Sequence, residues 1–463
     1  MSTVTRRIGV ALGLVSALLL SACGGGGQGG GGDQQALTVW TADTLPDRVA
    51  ATQAIIDRFT QQTGIQVKLV GVEEDQFNQV LTASAAAGEL PDVIGSIPLS
   101  SVRTLATNDL VNSDATKAVI DALGADTWNQ RALELTRDGD RQLSVPSEAW
   151  SQLLYYRRDL FQAAGLAAPT SYDAILNAAR TLDTPQRAGF VGATAPGEAF
   201  TQQTFEHVAL ANGCQMVDNA GAITIDSPQC VAAFDFYRDL ISNYSVPGTQ
   251  DVDTVRAAYF AGQSAMAIWS TYLLDELAGL RNDAMPSCPE CSDPTFLPKN
   301  TGIVTALQGP QGTEPAQFGE VISWAITSTA ATEPAQRFVQ FMLSDGYVDW
   351  LAFAPEGKYP ARTGSSPGAT DYVDTWATLP VGVDTEGPLA QFYPQDVLDA
   401  LQTGPEAYTR WGITQGQGDL IGASLGELPV AAAVAAVTSG GTDAQGAAQQ
   451  AAAALRTIQG SLR

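Results

Sequence analysis

Residues 37–70 hold a strand–helix–strand unit, and this unit limits the fold of the chain more than any other feature. Leu37–Trp40 and Ile65–Val70 alternate apolar and polar residues, as half-buried β-strands do. Between them, Ala51–Gly64 carries apolar residues at helical spacing and ends in a glycine, which is a common sign of a helix end. Units of this kind place helices on the faces of a mostly parallel sheet. The sequence therefore predicts an α/β fold.

The length of the chain indicates how many lobes it forms, and its net charge excludes some classes of partner. The chain has 463 residues, which exceeds what one hydrophobic core organises and predicts two lobes or more. Its formal net charge is −25, so the chain would repel the phosphates of nucleic acid and the headgroups of anionic lipids. We therefore expect no nucleic acid and no charged membrane surface as a partner.

The first residues have the layout of an export signal. Arg6 and Arg7 precede an uncharged stretch, Ile8–Leu20, and small residues then lead to Cys23. This order is typical of a secretory signal peptide, and the stretch is shorter than the roughly 20 residues of a membrane-spanning helix. Leu-Ser-Ala-Cys resembles the lipobox of bacterial lipoproteins, whose cysteine is acylated; an ordinary signal peptide with an incidental cysteine is the alternative. We predict that residues 1–22 are a signal peptide. Residues 23–36 would then be a lipidated Cys23 followed by a flexible glycine-rich tether.

The remaining cysteines form two groups, Cys214 with Cys230 and Cys288 with Cys291. An even number of cysteines in an exported protein predicts disulfides. The first group brackets two short strand-like stretches, and the second lies in a proline-rich loop. For the second group, half a zinc site and a redox pair are alternatives, but zinc needs four ligands and a redox pair usually opens a helix. We predict two structural disulfides and no metal site.

The order of segments along the chain resembles one known family. The matching segments are Leu37–Asp43, Ile55–Val70, Ala87–Val93, Leu143–Leu176, Tyr259–Leu274, Trp324–Asp345 and Lys358–Arg362. In this order they resemble the extracellular solute-binding proteins of bacterial ABC importers, in the branch typified by maltose-binding protein. The resemblance implies a two-lobed clamshell of the periplasmic-binding-protein type II, each lobe a mostly parallel sheet flanked by helices. It also implies discontinuous lobes, with lobe I formed by 37–147 and 303–343 and lobe II by 148–302 and 344–463.

The same resemblance implies a function without chemistry. Proteins of this family bind a solute between their lobes, close by a hinge motion and pass the solute to the transmembrane subunits of an ABC permease. We therefore expect an extracytoplasmic, monomeric binding protein, lipid-anchored to the outer face of the cell membrane, with no cofactor and no enzymatic activity. The resemblance places the crossings between the lobes near Pro146–Trp150, Gly302–Val304 and Ser344–Gly346.

The expected ligand is a neutral mono- or oligosaccharide, such as a sugar of the maltose or trehalose type. Sugars offer C–H faces to flat aromatic rings, and hydroxyls to carboxylate, amide or guanidinium groups. Residues of these types fall at strand ends, at crossings or at positions that face the cleft in the family. We expect ligand contacts from Trp40, Asp43, Asp92, Glu148, Trp150, Glu206, Trp269, Tyr272, Trp324, Arg362 and Trp411.

Each candidate has a structural alternative. A tryptophan can be ordinary core material, Asp92 can cap a turn, and Arg362 can form a surface salt bridge. A polyol, a glycerophospho-compound or a cationic solute also remains open as the ligand. An anionic ligand would need several cations in the cleft, and Arg362 and Lys358 are the candidates. Core packing is the expectation for the remaining tryptophans, Trp128, Trp350 and Trp376.

Other functions have weaker sequence support. Gly422–Gly426 matches G-x-S-x-G, the nucleophile elbow of hydrolases, but no strand leads into it. That motif also needs a later histidine, and the chain's one histidine, His207, lies upstream. Tyr155 and Tyr156 are like the paired tyrosines of ferric-ion binders, yet they lie inside a segment that matches the sugar branch. A sensory lipoprotein with the same clamshell and no permease remains open, since the sequence does not separate it from an importer.

Overall fold

The computed structural model describes residues 36–73 and 76–462, so the predicted signal peptide and Cys23 lie outside the described residues. The strands are β1 (Leu37–Thr41), β2 (Val67–Gly71), β3 (Val93–Ile97), β4 (Arg137–Asp138), β5 (Arg141–Gln142), β6 (Val145–Arg157), β7 (Met266–Ser270), β8 (Thr301–Val304), β9 (Gln317–Ile326), β10 (Tyr359–Pro360), β11 (Pro380–Val381), β12 (Gly387–Pro388) and β13 (Tyr408–Thr409).

Helices connect these strands and form the last part of the chain. They are α1 (Pro46–Thr63), α2 (Phe77–Ala87), α3 (Leu99–Thr107), α4 (Ser113–Leu123), α5 (Gln130–Leu135), α6 (Arg158–Ala163), α7 (Tyr172–Leu182), α8 (Ala199–Ala211), α9 (Pro228–Tyr244), α10 (Val252–Phe260), α11 (Leu273–Leu277), α12 (Phe296–Lys299), α13 (Thr332–Met342), α14 (Tyr347–Ala352), α15 (Asp371–Trp376), α16 (Leu389–Phe392), α17 (Gln395–Thr403), α18 (Gly418–Glu427), α19 (Pro429–Thr438) and α20 (Ala444–Ser461). Among the described residues no single helix is long and apolar enough to span a membrane. The consecutive helices α18 and α19, which are bent by 56° to each other, reach the length and apolar composition of a membrane span only when they are taken together.

The long strand β6 connects two sheets, because its partners change at its middle. From Val145 to Ser151 it pairs with β9, and from Gln152 to Arg157 it pairs with β7 and β8. The first part completes a sheet with the order β10-β6-β9-β3-β1-β2, in which β1 is parallel to β2 and β3. The α/β fold is confirmed, and the sheet is mixed, because β3 and β6 pair antiparallel with β9.

Two apolar cores lie at the two ends of β6, and we name them the first core and the second core. The first core joins β1 and β3 with α1, α4, α13 and α14, and the second core joins the end of β6 with α7, α8, α9, α19 and α20. A further apolar cluster packs α10, α11 and α17 with β7. Trp350 and Leu351 of α14 belong to the first core. Residues beyond α14, among them Ala361, Tyr372 and Tyr408, also belong to the first core, so the crossing expected near Ser344–Gly346 stays a prediction.

Both predicted disulfides are present. Cys214 follows α8 and pairs with Cys230 in the first turn of α9, a helix that the side chain of Ser227 caps. Cys288 pairs with Cys291 in the loop before α12. Each bridge closes a short loop, so in the chain-entropy account it restricts the unfolded chain only locally.

Helix α18 packs directly on α3 through a glycine. A Cβ on Gly422 would lie 2.6 Å from the Thr104 hydroxyl oxygen, so glycine is what allows this close approach. The G-x-S-x-G stretch, Gly422–Gly426, is therefore helix interior. Ser424 is fully buried, and its hydroxyl donates to the carbonyl of Ile421 at 2.9 Å. This arrangement is not the strand–turn–helix that a nucleophile elbow requires.

Candidate functional site

A buried group of charges lies where the carboxyl ends of β1 and β3 meet the middle of β6. The ammonium group of Lys358, just before β10, donates to Glu148 Oε1 on β6 at 2.7 Å and to Asp43 Oδ2 at 3.0 Å. It also lies 4.2 Å from the ring centre of Trp350 and 4.6 Å from that of Phe353. Lys358 is 1% exposed. The carboxylates and rings therefore replace water around its charge.

Asp43 holds two further groups in this place. Its Oδ1 accepts a hydrogen bond from Arg48 in α1 at 3.0 Å, and its Oδ2 accepts one from the Ser96 hydroxyl at 2.6 Å. Burial alone would raise the pKa of Asp43, but Lys358 and Arg48 outweigh it and keep this pKa well below its usual range. Ser96 has a φ of +57°, a left-handed backbone that serine seldom adopts. Strain of this kind often marks functional sites.

Three aromatic rings lie beside these charges. The ring centre of Trp150 is 6.3 Å from that of Tyr272 and 5.6 Å from that of Phe318. Tyr272 lies so close to Gly357 that a Cβ there would come within 1.9 Å of the ring, and the Arg48 guanidinium is 5.6 Å from the same ring. Trp150 and Tyr272 are half-buried. Within the described residues, neither the indole nitrogen nor the phenol oxygen takes part in a hydrogen bond.

A second buried ion cluster is centred on Arg410. Its Nε donates to Glu206 Oε1 at 3.1 Å, and its Nη1 contacts the carboxylate of Glu320. Glu206 also accepts from the backbone nitrogen of Trp411 at 2.7 Å, and Glu320 accepts from that of Leu99, the first residue of α3, at 2.9 Å. The three charged residues are at most 2% exposed. Glu206, which we expected at the ligand, is thus engaged by Arg410 and by the backbone.

Three carboxyl groups near the cleft have raised pKa values. Burial raises the pKa of Asp275 to about 6, of Glu276 to about 7 and of Glu356 to about 8, and the charge of Asp275 adds to the last two shifts. Arg256 opposes the shift of Glu276, since it donates to that carboxylate at 3.0 Å. Each raised pKa favours the protonated form of its carboxyl group, so these three residues carry less negative charge than their residue types suggest.

Four tryptophans that we expected at the ligand lie in apolar packing instead. Trp324 and Trp411 are fully buried, while Trp40 and Trp269 are 7% and 8% exposed. The indole nitrogens of Trp411 and Trp269 donate to backbone carbonyls at 2.9 Å and 3.0 Å, and the ring of Trp324 packs against that of Trp350. Rings enclosed in this way leave little surface for a sugar, so the structure places them as core residues.

Asp92 and Arg362 also serve the fold rather than a ligand. Asp92 accepts hydrogen bonds from the backbone nitrogens of Thr38 and Ala331, both at 2.8 Å, which is the turn-capping role that we named as its alternative. Arg362 is 2% exposed, and its guanidinium donates to several backbone carbonyls, including that of Leu343 at 2.6 Å. Arg362 is therefore a buried residue that joins backbone segments through hydrogen bonds, and it is neither a ligand contact nor part of a surface salt bridge.

The histidine and the tyrosine pair form no metal site in the described part of the chain. His207 is fully buried, its Nδ1 accepts from the backbone nitrogen of Phe318 at 3.3 Å, and burial lowers its pKa to about 3, so it is neutral. Tyr155 and Tyr156 are consecutive on β6, so they point to opposite faces, and Tyr155 donates to the carbonyl of Ser270 at 2.8 Å. No group of three or more His, Cys, Asp or Glu residues there could hold a metal ion.

Four of the predicted residues, Asp43, Glu148, Trp150 and Tyr272, meet at one place. Of their partners, Lys358 was named from the sequence only as a cation for an anionic ligand, and Arg48, Ser96 and Phe318 were not predicted. We name the whole group the cleft site: Asp43, Arg48, Ser96, Glu148, Trp150, Tyr272, Phe318 and Lys358. Arg48 had a usable signal, because it lies in the first turns of a helix that begins just after Asp43. The residues next to Ser96 and Lys358 in the sequence give no sign of the positive φ at Ser96 or of the contacts of Lys358 with Asp43 and Glu148. The partners of both residues come from distant segments of the chain.

Known proteins identify the family to which this arrangement belongs. Residues 42–349 match the family described as bacterial extracellular solute-binding protein. The chain is a member of this family. Its members are extracytoplasmic transport proteins that bind a small molecule and deliver it to an ABC permease, and this solute-binding protein shares that general role.

Individual relatives agree with the family. The putative ABC transporter periplasmic-binding protein YcjN of Escherichia coli (strain K12) is 30% identical over 417 residues, which cover 88% of this chain and 90% of that protein. The structure of maltose-bound MalE3 of T. maritima matches with a TM-score of 0.67 at 18% identity, over 91% of this chain and all (100%) of that one. The structure of UgpB from Mycobacterium tuberculosis, in complex with glycerophosphocholine, matches with a TM-score of 0.67 at 20% identity, over 92% of this chain and 99% of that one. At these identities the two structures confirm the two-lobed fold.

Proposed function

We propose that this solute-binding protein captures a neutral mono- or oligosaccharide, such as a sugar of the maltose or trehalose type, between two lobes. Lobe I would comprise 37–147 and 303–343, and lobe II would comprise 148–302 and 344–463, with the cleft site between them. The permease would recognise the closed form. Because the ligand would bind the closed form more tightly than the open form, its binding would increase the population of molecules that the permease recognises.

The observation that carries the proposal is that the charges of the cleft are paired with one another. Asp43, Arg48, Lys358 and Glu148 neutralise each other through buried ion pairs, and Arg410 bridges a neighbouring pair of glutamates. An ionic ligand would have to break one of these pairs, and removing one partner of a buried pair costs about 3–5 kcal/mol. A neutral ligand leaves every pair intact.

The groups that remain available in the cleft are uncharged. Trp150 and Tyr272 are half-buried and lie side by side, and such rings can stack on the C–H faces of a sugar. Gln152 lies two residues beyond Trp150, hence on the same side of β6. It is fully buried, as the enclosed tryptophans are, but unlike the indole nitrogens of Trp411 and Trp269 its amide has no hydrogen-bond partner among the described residues. A buried amide without partners costs free energy, and if the open form exposes this amide, sugar hydroxyls would satisfy it both as donors and as acceptors.

A glycerophospho-compound is the second candidate, because UgpB is in complex with glycerophosphocholine whereas MalE3 is bound to maltose. A phosphate group calls for arginine or lysine donors. Lys358 and Arg362, the two cations that the sequence offered for this role, are both engaged inside the protein. This engagement favours the sugar. Polyols share the hydroxyl chemistry of sugars and stay as the alternative.

A ligand screen by thermal shift tests the sugar proposal. We expect a neutral di- or oligosaccharide to raise the melting temperature, because a ligand that binds only the folded state stabilises it, by about 2.7 kcal/mol at a hundredfold excess over Kd. The screen should include neutral sugars, polyols, glycerophosphocholine, amino acids and sugar phosphates at equal ionic strength. A response to phosphorylated or amino-acid ligands alone would contradict the proposal.

The lipid anchor is proposed from the sequence, since Cys23 lies outside the described residues. Two or more acyl chains hold a protein stably on a membrane, whereas one chain holds it only marginally. We expect the full-length chain, expressed in a bacterial host, to sediment with membranes and to enter the detergent phase on phase separation. Cys23→Ser should abolish both behaviours, and a serine variant that still partitions with membranes would refute the anchor.

A further inference from the structure

Lys358 occupies a complete binding site for an ammonium group. Its Nζ has a carboxylate oxygen of Glu148 at 2.7 Å and one of Asp43 at 3.0 Å, with the ring centres of Trp350 and Phe353 at 4.2 Å and 4.6 Å. Aromatic faces attract cations through the ring quadrupole, and proteins use them to recognise the cationic heads of ligands. In this cleft the cation belongs to the chain itself.

Glu148 depends on this lysine for its counter-charge. Glu148 is fully buried, and its second oxygen accepts from the indole nitrogen of Trp350 at 2.8 Å. Within the described residues it forms no salt bridge except that to Lys358, whereas Asp43 also has Arg48. Without Lys358 the cleft would hold two carboxylates against one guanidinium. That surplus of negative charge, placed beside aromatic faces, would attract a cation.

We propose that Lys358 sets the charge of the ligand: its ammonium group fills a site that would otherwise select a cationic solute, and it thereby restricts the cleft to uncharged ligands. The inference rests on the proposed function in that it takes the cleft as the ligand site. A lysine that merely filled space could be replaced by any group of similar shape. An ammonium site, by contrast, distinguishes an amine from a neutral molecule of the same shape.

Substitution of Lys358 by alanine tests this distinction. Lys358→Ala removes the outer three carbons and the ammonium group, which together have the shape of n-propylammonium. We expect the variant to melt below the wild type. Propylammonium chloride at tens of millimolar should then raise its melting temperature by about 2 °C or more relative to sodium chloride at the same ionic strength. 1-Propanol, which has the same shape without the charge, should give no such rise, and the wild type should not respond.

Lys117 provides a matched control on the surface. Its ammonium also meets a carboxylate, that of Asp121, but its side chain is 61% exposed. Lys117→Ala should show no response to propylammonium. Equal responses of Lys117→Ala, Lys358→Ala and the wild type would overturn the proposal, as would equal effects of propanol and propylammonium. Failure to recover folded Lys358→Ala even when propylammonium is present during purification would overturn it too.

The amine experiment contains no sugar, so its outcome is separate from that of the ligand screen. If propylammonium rescues Lys358→Ala while no neutral sugar binds the wild type, the sugar assignment fails and the ammonium site stands. If a neutral sugar binds but the amine does not rescue, the sugar assignment stands and Lys358 does not set the ligand's charge. Tight binding of propylammonium by the wild-type cleft would also refute the proposal, because the site would then not be filled.

Discussion

Arg410→Met is expected to lower the free energy of unfolding by about 3–5 kcal/mol, because it leaves two buried carboxylates without a counter-charge. Arg410 bridges Glu206 and Glu320, and the three residues are at most 2% exposed. Methionine keeps an unbranched apolar side chain but ends short of the guanidinium, so the triple variant described below, which has the same methionine, separates the loss of charge from the loss of volume. Denaturant unfolding at neutral pH, followed by circular dichroism, measures the change.

Two further variants make this test specific to the buried charges. Arg456→Met removes an arginine that pairs with Asp226 but is 53% exposed, so its effect should stay within about 0.5 kcal/mol. The triple variant Glu206→Gln, Glu320→Gln, Arg410→Met removes all three charges and should recover most of the loss, since replacing a whole buried ion group is often nearly neutral. A loss below about 1 kcal/mol for Arg410→Met alone would show that the carboxylates do not depend on it.

Glu206 was expected at the ligand because its position faces the cleft in the family, and the ion cluster gives this carboxylate a different partner. It lies on α8 in the second core, while Glu320 lies on β9 and accepts from the backbone of Leu99 at the start of α3. The cluster therefore links elements of both sheets near the cleft. A charged residue beside a cleft can bind the ligand, or it can pair with another charged residue and stabilise the packing around the cleft. Which role it has depends on the residue with which it pairs. Arg410, the partner here, is 204 positions away from Glu206 in the sequence.

The first strand–helix–strand unit was predictable because its signals are local. The strand β1 spans Leu37–Thr41 against a predicted Leu37–Trp40. The helix α1 starts at Pro46, earlier than the predicted Ala51, because proline fits the first turn of a helix and the exposed first turn carries no apolar pattern. The antiparallel partners of β6 were not predictable, since they come from distant parts of the chain and strand pattern alone does not reveal pairing.

Part of the cleft site was predictable for the same reason. Asp43 follows a strand, Glu148 and Trp150 lie at a crossing implied by the family resemblance, and Tyr272 ends a matched segment. Lys358 completes the site through bonds that span 210 and 315 positions in sequence, to Glu148 and Asp43. Periodicity and spacing report on neighbours along the chain, so they contain no information about contacts at such distances.

Trp150 and Trp324 show how long-range packing separates residues that look alike in sequence. Both are tryptophans on long strands of the same sheet. Trp324 lies opposite Gly95 of β3, where a Cβ would come within 2.3 Å of the ring, so a glycine on a neighbouring strand provides the space that encloses it. Trp150 lies next to the point where β6 changes partners. Its ring therefore stays half-buried at the cleft.

Trp150→Ala and Tyr272→Ala are each expected to weaken ligand binding by ten- to a hundredfold, or about 1.4–2.7 kcal/mol. Each change removes one of the two half-buried rings that lie side by side in the cleft, and with it the flat surface on which a sugar would stack. Neither ring lies in a fully enclosed core, so both variants should remain folded. Titration calorimetry with the sugar found in the ligand screen measures the affinity, and circular dichroism checks the fold.

Two controls separate stacking from other causes of a weakened affinity. Tyr272→Phe keeps the ring and loses the hydroxyl, which makes no hydrogen bond within the described residues, so its affinity should stay close to that of the wild type. Tyr244→Ala removes a half-buried ring at the end of α9, beside the second core, and should leave the affinity unchanged. Unchanged binding in both Trp150→Ala and Tyr272→Ala would mean that the ligand lies elsewhere. A loss in Tyr272→Phe equal to that in Tyr272→Ala would assign the contact to the hydroxyl instead of the ring.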